Sequence, residues 1–282
     1  MENNDNMYKI SKFDWVKDLP HDTGWFITIS AKSRGGKGIY THRLLEKMHR
    51  AKKLNIKDAY LFSSSAETQT DSFPMIKHNR FTNYDDDFVT GIIEDNKEQI
   101  KKEMASGKSK QKAIKDNTIL MIIDDLAGGQ VFRSKSLIML STMGRHVGIN
   151  VILLTQSLAS SVPSICRKNS SVVIAYPALS HRVMQLLSYE FSLMSLGGMS
   201  LKESREFLMS VWRSKPYTAL VILQHKTNVT RFESIMRYDR VTHPIEKTSK
   251  YLMKQQIDKK KKKEDDDDDG EVLMFRRKNR SL

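Results

Sequence analysis

The strongest constraint on the fold is an apolar segment that leads directly into a glycine-bearing turn and then into a helical pattern. Residues 25–30 (WFITIS) have the composition of a buried strand, and residues 31–38 contain Gly35 and Gly36 followed by Lys37. From residue 37 to 53, apolar side chains recur near the helical period of about 3.6 residues. This order of strand, glycine turn and helix predicts an α/β fold with a parallel sheet.

Further apolar runs, separated by helical stretches, extend this pattern along the chain. Strands are predicted at residues 59–63, 119–123, 151–155, 172–175 and 218–224, with another near 229–235. Helices are predicted at residues 88–104, 134–146, 180–189 and 200–213, and an exposed basic loop at 106–115. Continuous apolar runs between helices are typical of a parallel sheet that is covered on both faces. We therefore predict one domain over residues 21–250, preceded by an N-terminal extension at residues 1–20.

The positive charge of the chain is concentrated in this domain. The 47 Lys and Arg residues exceed the 33 Asp and Glu residues by 14, and the segment from residue 259, with nine basic and seven acidic residues, carries only +2 of that excess. Its blocks of lysines and aspartates lack the apolar surface needed for order, so we predict a disordered, charged tail at residues 251–282, either solvated or docked on an oppositely charged surface. The remaining charge on the body indicates a polyanionic partner.

Composition excludes several classes of protein. No apolar run approaches the ~18 residues of a membrane-spanning helix, and the polar N-terminus lacks the pattern of a secretory signal peptide. Cys166 is the single cysteine, so an internal disulfide is impossible and a structural zinc site is not predicted. No helix-turn-helix, zinc-finger or RNA-recognition signature is present. We therefore expect neither a membrane partner nor sequence-specific binding of nucleic acid.

The loop between the first predicted strand and its helix has the features of a phosphate-binding loop. In such loops backbone N–H groups form a concave anion site, the helix N-terminus adds its positive end, and a lysine reaches the phosphates. The candidate nucleotide-binding residues are Ala31, Lys32, Ser33, Arg34, Gly35, Gly36, Lys37, Gly38 and Ile39. Ala31 replaces the first glycine of the GxxxxGK[ST] pattern, and Gly38 replaces the hydroxyl residue that coordinates Mg²⁺. By itself this loop is equally compatible with a plain glycine-rich turn.

Two adjacent carboxylates end the most apolar of the predicted strands. Asp124 and Asp125 directly follow Ile123, and a parallel strand delivers the residues at its carboxyl end to the ligand crevice of the sheet. A turn or a helix N-cap would also place acids here. Together with Gly36 and Lys37, the pair instead favours an ATPase in which Asp124 holds Mg²⁺ through water and Asp125 polarises the attacking water.

Polar residues around the strand predicted at 151–155 complete the candidate catalytic set. Gln156 follows this strand, where a polar side chain can sense the γ-phosphate, so it is a candidate sensor. Arg145 ends a predicted helix, where it either faces the helix dipole or acts as an arginine finger on a neighbouring subunit's nucleotide. Arg167 is a second candidate for the finger, and the sequence alone does not choose between the two.

These motifs together resemble a known family. They are, in chain order, Gly36-Lys37, Asp124-Asp125, Gly144-Arg145-His146 and Thr155-Gln156. They are similar to those of the genome-packaging ATPases of poxviruses, giant viruses and virophages, a branch of the FtsK/HerA superfamily, over roughly residues 25–235. The resemblance implies a RecA-like P-loop core that binds ATP and Mg²⁺, and a homo-oligomeric ring, pentameric or hexameric, around double-stranded DNA. It also implies a capsid or vertex protein as partner and a location in the host-cell cytoplasm or the virion.

A protein that moves along DNA needs cations that hold phosphates without reading bases. Lys108, Lys110 and Lys112 in the predicted basic loop are the candidate DNA contacts, although a solvated basic surface would have the same composition. The leading hypothesis is an ATP-driven motor that packages double-stranded DNA into a preformed capsid. The alternatives are a DNA helicase or conjugation-type DNA pump, and a nucleotide-binding structural subunit that has lost hydrolysis because of Gly38.

Overall fold

The computed structural model of the protein describes residues 10–20, 24–51, 57–67, 73, 76, 78–124, 126, 131–178, 180–191, 193–226 and 232–240. Asp125 and the predicted tail at residues 251–282 lie outside these ranges. Within them, no helix is long and apolar enough to cross a membrane. No group of three or more His, Cys, Asp or Glu side chains in the same ranges is placed to hold a metal ion.

The described chain forms one sheet of nine strands. They are β1 Ser11–Lys12, β2 Phe26–Ser30, β3 Asp58–Ser63, β4 Arg80–Phe81, β5 Ile119–Asp124, β6 Ile149–Thr155, β7 Val172–Ala175, β8 Thr218–Leu223 and β9 Met236–Arg240. Their spatial order is β1-β9-β8-β7-β2-β6-β5-β3-β4. All neighbours pair in parallel except that β8 runs antiparallel to β7 and β9. The carboxyl ends of the parallel strands therefore meet at one edge of the sheet, which we name the carboxyl edge. The antiparallel β8 begins at this edge. The opposite edge is named the amino edge.

Helices connect the strands and cover the sheet. They are α1 Trp15–Asp18, α2 Lys37–Arg50, α3 Asp86–Ala105, α4 Lys110–Asp116, α5 Lys135–Met143, α6 Leu158–Ser161, α7 Ser164–Asn169, α8 His181–Glu190, α9 Leu193–Gly197, α10 Leu201–Arg213 and α11 Phe232–Ile235. Two short 3₁₀ turns, Val131–Arg133 and Gly144–Val147, flank α5.

Alternate residues of the central strands belong to two separate apolar cores, one on each face of the sheet. On β6, Val151 and Leu153 lie in one core, whereas Ile152 and Leu154 lie in the other. Helices α3, α5, α8 and α10 cover the first face, and α2 covers the second. Because both faces are covered, the central strands carry apolar residues at successive positions rather than at alternate ones.

The predicted α/β class with a mainly parallel sheet is confirmed, and two local predictions are wrong. The segment predicted as a basic loop at residues 106–115 contains α4, which begins after the N-cap Ser109. Only Ala113 and Ile114 of this helix are buried, so its sequence has no clear apolar period. Residues 229–231 of the strand predicted near 229–235 lie outside the described ranges. Residues 232–235 form α11 instead, and β9 begins at Met236.

The segment predicted as an N-terminal extension is part of the domain from residue 10 onward. Its strand β1 pairs with β9, and the Trp15 indole donates from Nε1 to Oδ2 of the buried Asp239 at 3.1 Å. The Tyr40 hydroxyl on α2 donates to the same oxygen at 3.0 Å. One buried carboxylate thus joins the N-terminal segment, α2 and β9.

Candidate nucleotide-binding site

The loop between β2 and α2 has the backbone shape of an anion-binding nest. Gly36 caps α2 with a left-handed φ of 91°, and Arg34 is also left-handed, at 58°. Gly35 is enclosed, because a Cβ there would lie 2.8 Å from the carbonyl oxygen of Lys32 and 3.0 Å from the Cβ of Ala31. Left-handed residues next to helical ones turn successive N–H groups toward one concave side. Space therefore requires glycine at position 35, and backbone conformation favours it at position 36.

The two departures from the usual phosphate-loop pattern have different consequences. Ala31 does not have a positive φ, and its N–H donates to the carbonyl oxygen of Thr155 at 3.1 Å, so alanine fits where the pattern has glycine. Gly38 leaves the first turn of α2 without a hydroxyl. Thr41 does not replace it, because its side chain is buried and Oγ1 donates to the carbonyl oxygen of Lys37 at 2.9 Å.

Lys37 and Asp124 reach the carboxyl edge from two strands that β6 separates. Lys37 begins α2 directly after the loop that follows β2, and Asp124 ends β5. The pairing aligns Ser30 with Thr155 and Leu154 with Asp124, so both strands end at the same level. At a spacing of ~4.8 Å per strand, β2 and β5 lie about 10 Å apart. The Lys37 Nζ and the Asp124 Oδ1 are both withdrawn from solvent.

Gln156 lies between these two groups along the edge. It follows the last residue of β6, which is the strand between β2 and β5, and it is exposed. The next residue, Ser157, donates from its N–H to Oγ1 of Thr155 at 3.2 Å, and its Oγ accepts from the N–H of Ser160 at 3.3 Å as the cap of α6. This capped turn holds the backbone on the C-terminal side of Gln156.

The residues at this edge fit a polyphosphate. The left-handed loop leads into the start of α2, where the first N–H groups of a helix have no partner within it. No heavy atom lies within 4 Å of where a Cβ at Gly38 would be. A positive helix end and the half-buried Lys37 beside them favour an anion. For Mg²⁺ the described residues supply the carboxylate of Asp124, which is an oxygen ligand of the kind this ion prefers.

The structure places Arg145 away from this edge. It lies in the 3₁₀ turn before β6 and is exposed, and its carbonyl oxygen accepts from the N–H of Gly24, before β2, at 3.3 Å. Since β6 runs from residue 149 to 155, a strand of roughly 20 Å separates Arg145 from Gln156. Within one chain, Arg145 and the loop therefore lie at opposite edges of the sheet.

Arg167 is held inside its own subunit. Its guanidinium donates to both carboxylate oxygens of Glu190, at 3.0 Å and 3.1 Å from Nε and at 2.8 Å from Nη2. Nη1 donates to the carbonyl oxygens of Leu158, at 3.1 Å, and of Val162. The side chains of Arg167 and Glu190 are 11% and 16% exposed. These contacts join α6, α7 and α8, and they occupy the donors that an arginine finger would extend to a neighbour.

Arg167→Ala is therefore expected to destabilise the fold, by about 3 kcal/mol, because it leaves a mostly buried carboxylate without its partner. The free energy of unfolding from chemical denaturation measures the effect. Arg145→Ala, at an exposed position, is the matched control and is expected to change it by less than about 0.5 kcal/mol. Equal stability of the two variants would contradict a structural role for Arg167.

The three candidate DNA-contacting lysines are not equivalent. The Nζ of Lys108 lies 2.9 Å from Oε2 of Glu103 and 3.2 Å from Oδ2 of Asp116, so its charge is balanced within the subunit. Lys110 and Lys112 on α4 are exposed. Because α4 ends just before β5, all three lie at the amino edge.

Arg145 and His146 join Lys110 and Lys112 at this edge, and these four residues are named the amino-edge basic surface. Partial desolvation lowers the pKa of His146, and the nearby charges of Arg145 and Lys110 lower it further. A histidine with a lowered pKa between two cations is neutral near pH 7. The surface therefore carries its charge on one arginine and two lysines.

One residue close to the loop has no motif to identify it in the sequence. Tyr217 precedes β8, and its Cδ1 lies 3.6 Å from where a Cβ at Gly36 would be. The order of strands alone brings the two together, because β8 runs antiparallel to β7 and begins at the carboxyl edge.

Comparisons with solved structures are consistent with the fold. The chain is similar to the pCW3 conjugation coupling protein TcpA, with 13% identity and a TM-score of 0.54 over 88% of this chain and 75% of that one. It is similar to EssC (ATPases 2 and 3) from Geobacillus thermodenitrificans, with 16% identity and a TM-score of 0.51 over 86% of this chain and 44% of that one. At these identities the likeness concerns the fold alone.

A viral structure is also similar. It is the genome packaging NTPase B204 from Sulfolobus turreted icosahedral virus 2, in complex with AMPPCP, with 14% identity and a TM-score of 0.49 over 79% of this chain and all of that one. No curated protein sequence matches the chain. The profile of the family described as "Poxvirus A32 protein" matches residues 17–199, which contain Lys37, Asp124 and Gln156. The predicted resemblance to poxvirus-type packaging ATPases is thereby confirmed, and the chain belongs to the poxvirus A32 protein family.

Proposed function

We propose that this protein is an ATPase that moves double-stranded DNA and packages a viral genome into a preformed capsid. The observation that carries the proposal is the meeting of Lys37, Asp124 and Gln156 at one edge of the sheet, in a chain of the poxvirus A32 family. The excess of 14 positive charges supports a polyanionic substrate.

ATP binds at the carboxyl edge in this proposal. N–H groups of the loop at residues 31–39, other than those of Ala31 and Gly35, which donate to backbone carbonyl oxygens, bind the phosphates. The Lys37 ammonium neutralises charge on the β- and γ-phosphates. Asp124 would hold Mg²⁺ through water, and the ion would neutralise charge that develops on the transferred phosphoryl group. Asp125, adjacent in the sequence, takes the proton of the attacking water. Gln156, between the loop and Asp124, contacts the γ-phosphate and reports its presence.

A ring of identical subunits supplies the remaining positive charge. Arg145 is exposed at the amino edge, and it is the better candidate for an arginine that acts on a neighbour, because Arg167 is occupied by Glu190. The family resemblance supports a pentamer or hexamer and a capsid or vertex protein as partner. It also supports a location in the host-cell cytoplasm or the virion.

Gly38→Thr is expected to fold normally and to strengthen Mg²⁺-dependent turnover. The position has room for a Cβ, threonine is more favourable than glycine in a helix, and the hydroxyl adds an oxygen ligand. We expect the Mg²⁺ concentration for half-maximal turnover to fall about tenfold, equivalent to ~1.4 kcal/mol. Gly38→Ala adds the Cβ without the oxygen and is the control. If both variants behave alike, Mg²⁺ is held without a ligand from position 38.

DNA contacts in this proposal come from Lys110 and Lys112 of the amino-edge basic surface. Lys110→Ala combined with Lys112→Ala is expected to weaken duplex binding and to lower the slope of log affinity against log salt by about 1 per lost phosphate contact. Lys108→Ala is the control, because its charge is balanced by Glu103 and Asp116. Fluorescence anisotropy at several salt concentrations measures the slope. An unchanged slope in the double variant would place the DNA on another surface.

The function is tested by comparing ATP turnover with and without duplex DNA, together with strand separation on a forked duplex. A packaging motor is expected to be stimulated by duplex DNA and to leave the strands paired. Separation of the strands would favour the helicase alternative, and the absence of any hydrolysis would favour a structural nucleotide-binding subunit. A conjugation-type DNA pump is the second candidate function, because the fold is similar to that of the conjugation coupling protein TcpA.

A further inference from the structure

The turn before β8 presents an exposed aromatic ring in a strained conformation. Pro216 is followed by Tyr217, which has a φ of 57° and is 60% exposed. Oγ1 of Thr218 donates to the carbonyl oxygen of Lys215 at 2.8 Å, which closes the turn. Proline followed by a residue with positive φ is the arrangement of a type II turn, in which the second of these positions is ordinarily glycine.

A tyrosine in this position is costly to the fold. A bulky residue with positive φ costs of order 1–3 kcal/mol, and such residues are found mainly where function requires them. The exposed ring buries little apolar area that could offset this cost. Glycine would form the same turn without strain, so the turn itself does not explain the tyrosine.

The ring lies beside the phosphate-binding loop. Its Cδ1 is 3.6 Å from where a Cβ at Gly36 would be, and Gly36 caps α2. Tyr217 and Asp124 lie on opposite sides of β2. In the sheet, β7 and β8 lie on one side of β2, and β6 and β5, which ends in Asp124, lie on the other.

This arrangement gives a bound nucleotide a direction. If the terminal phosphate faces Asp124, then the α-phosphate and the nucleoside extend away from β5, toward the beginning of β8. There Tyr217 offers a planar, exposed ring next to the loop that holds the phosphates. Stacking on an aromatic side chain suits any nucleobase, because every base has a π-face.

We propose that Tyr217 stacks on the base of the nucleotide bound at residues 31–39. The inference rests on the proposed nucleotide site and goes beyond it by assigning the base-binding side. Tyr217 is a binding residue for the adenosine part of ATP and makes no contact with the phosphates, so its contribution depends on the presence of a base.

The test compares ATP with inorganic triphosphate, which has the same phosphates and no base. In the full-length chain, Tyr217→Ala is expected to raise the Kd for ATP about tenfold, in line with the free energy of aromatic stacking on one base, and to leave the Kd for triphosphate unchanged. Tyr217→Phe is expected to retain the wild-type affinity for ATP. The control is Tyr189→Ala, which removes an equally exposed ring far from the loop. Tyr189 is 61% exposed near the end of α8. Its neighbour Glu190 pairs with Arg167, which precedes β7 at the amino edge.

A glycine variant separates stacking from the shape of the turn. Tyr217→Gly relieves the positive φ, so we expect a higher thermal midpoint together with the same tenfold loss of ATP affinity as Tyr217→Ala. An unchanged ATP Kd in the alanine variant, or an equal loss of ATP and triphosphate binding, would overturn the stacking proposal. Loss of the oligomer without a change in ATP Kd would overturn it too, and would assign the ring to a subunit contact. If Lys37→Ala also leaves the Kd values for ATP and triphosphate unchanged, residues 31–39 do not form the nucleotide site.

Discussion

Lys37→Ala is expected to remove ATP turnover while leaving the fold intact. The lysine begins α2 beside the left-handed Gly36, and its Nζ is withdrawn from solvent at the carboxyl edge. A fixed positive charge at developing phosphate charge typically contributes about 100- to 1000-fold in rate. We therefore expect a fall of about that size in DNA-stimulated turnover, measured as released phosphate at saturating ATP.

Two controls test whether the fold is intact and whether the loss of any exposed lysine has the same effect. Alanine is the most favourable helix residue, so the thermal midpoint of Lys37→Ala is expected to match that of the wild type. Lys202→Ala removes an exposed lysine at the start of α10 and is expected to keep full turnover. If Lys37→Ala hydrolyses ATP at the wild-type rate, residues 31–39 do not form the nucleotide site.

Asp125→Asn is expected to separate nucleotide binding from hydrolysis. Asparagine has nearly the same shape as aspartate but cannot accept the proton of water, and loss of a general base typically costs about 100- to 10,000-fold in rate. We expect turnover to fall by about that factor, with a Kd for ATP close to the wild-type value. A fluorescent nucleotide titration and a steady-state assay on the same preparation measure the two quantities.

Asp124→Asn provides the comparison for this assignment. Asp124 ends β5 and would hold the metal, so its loss is expected to raise the Mg²⁺ requirement as well as to lower turnover. If Asp125→Asn shifts the Mg²⁺ requirement and Asp124→Asn does not, the roles of the two acids are exchanged. If Asp125→Asn keeps wild-type turnover, the base is another group.

The two proposed ligand surfaces lie at opposite ends of the same strand. Gln156 directly follows β6 at the carboxyl edge, and Arg145 lies in the turn before β6 at the amino edge. All seven residues of β6 are buried, so it cannot bend without disturbing both cores. A displacement of β6 would therefore move residues at both surfaces. Coupling between ATP hydrolysis and DNA movement requires such a mechanical connection.

The fold class and the backbone shape of the candidate loop could be predicted from local sequence. Strands buried on both faces carry continuous apolar runs, and the loop needs glycines at 35 and 36 for space and for a positive φ. Helix α4 could not be predicted in the same way, because only Ala113 and Ile114 of it are buried. Its lysines therefore suggested a loop, although a capped helix presents them equally well.

By itself, the sequence determined the α/β class, the glycine-bearing turn between β2 and α2 and the carboxylate at the end of β5, because each depends on residues that are adjacent in the chain. The tertiary structure decided the rest. It assigned Arg167 to an ion pair with Glu190 and placed Arg145 at the far edge from the loop. It also brought Tyr217 to Gly36. These relations depend on strand order and direction, which the antiparallel β8 sets through contacts between segments distant in the sequence, and no local pattern encodes them.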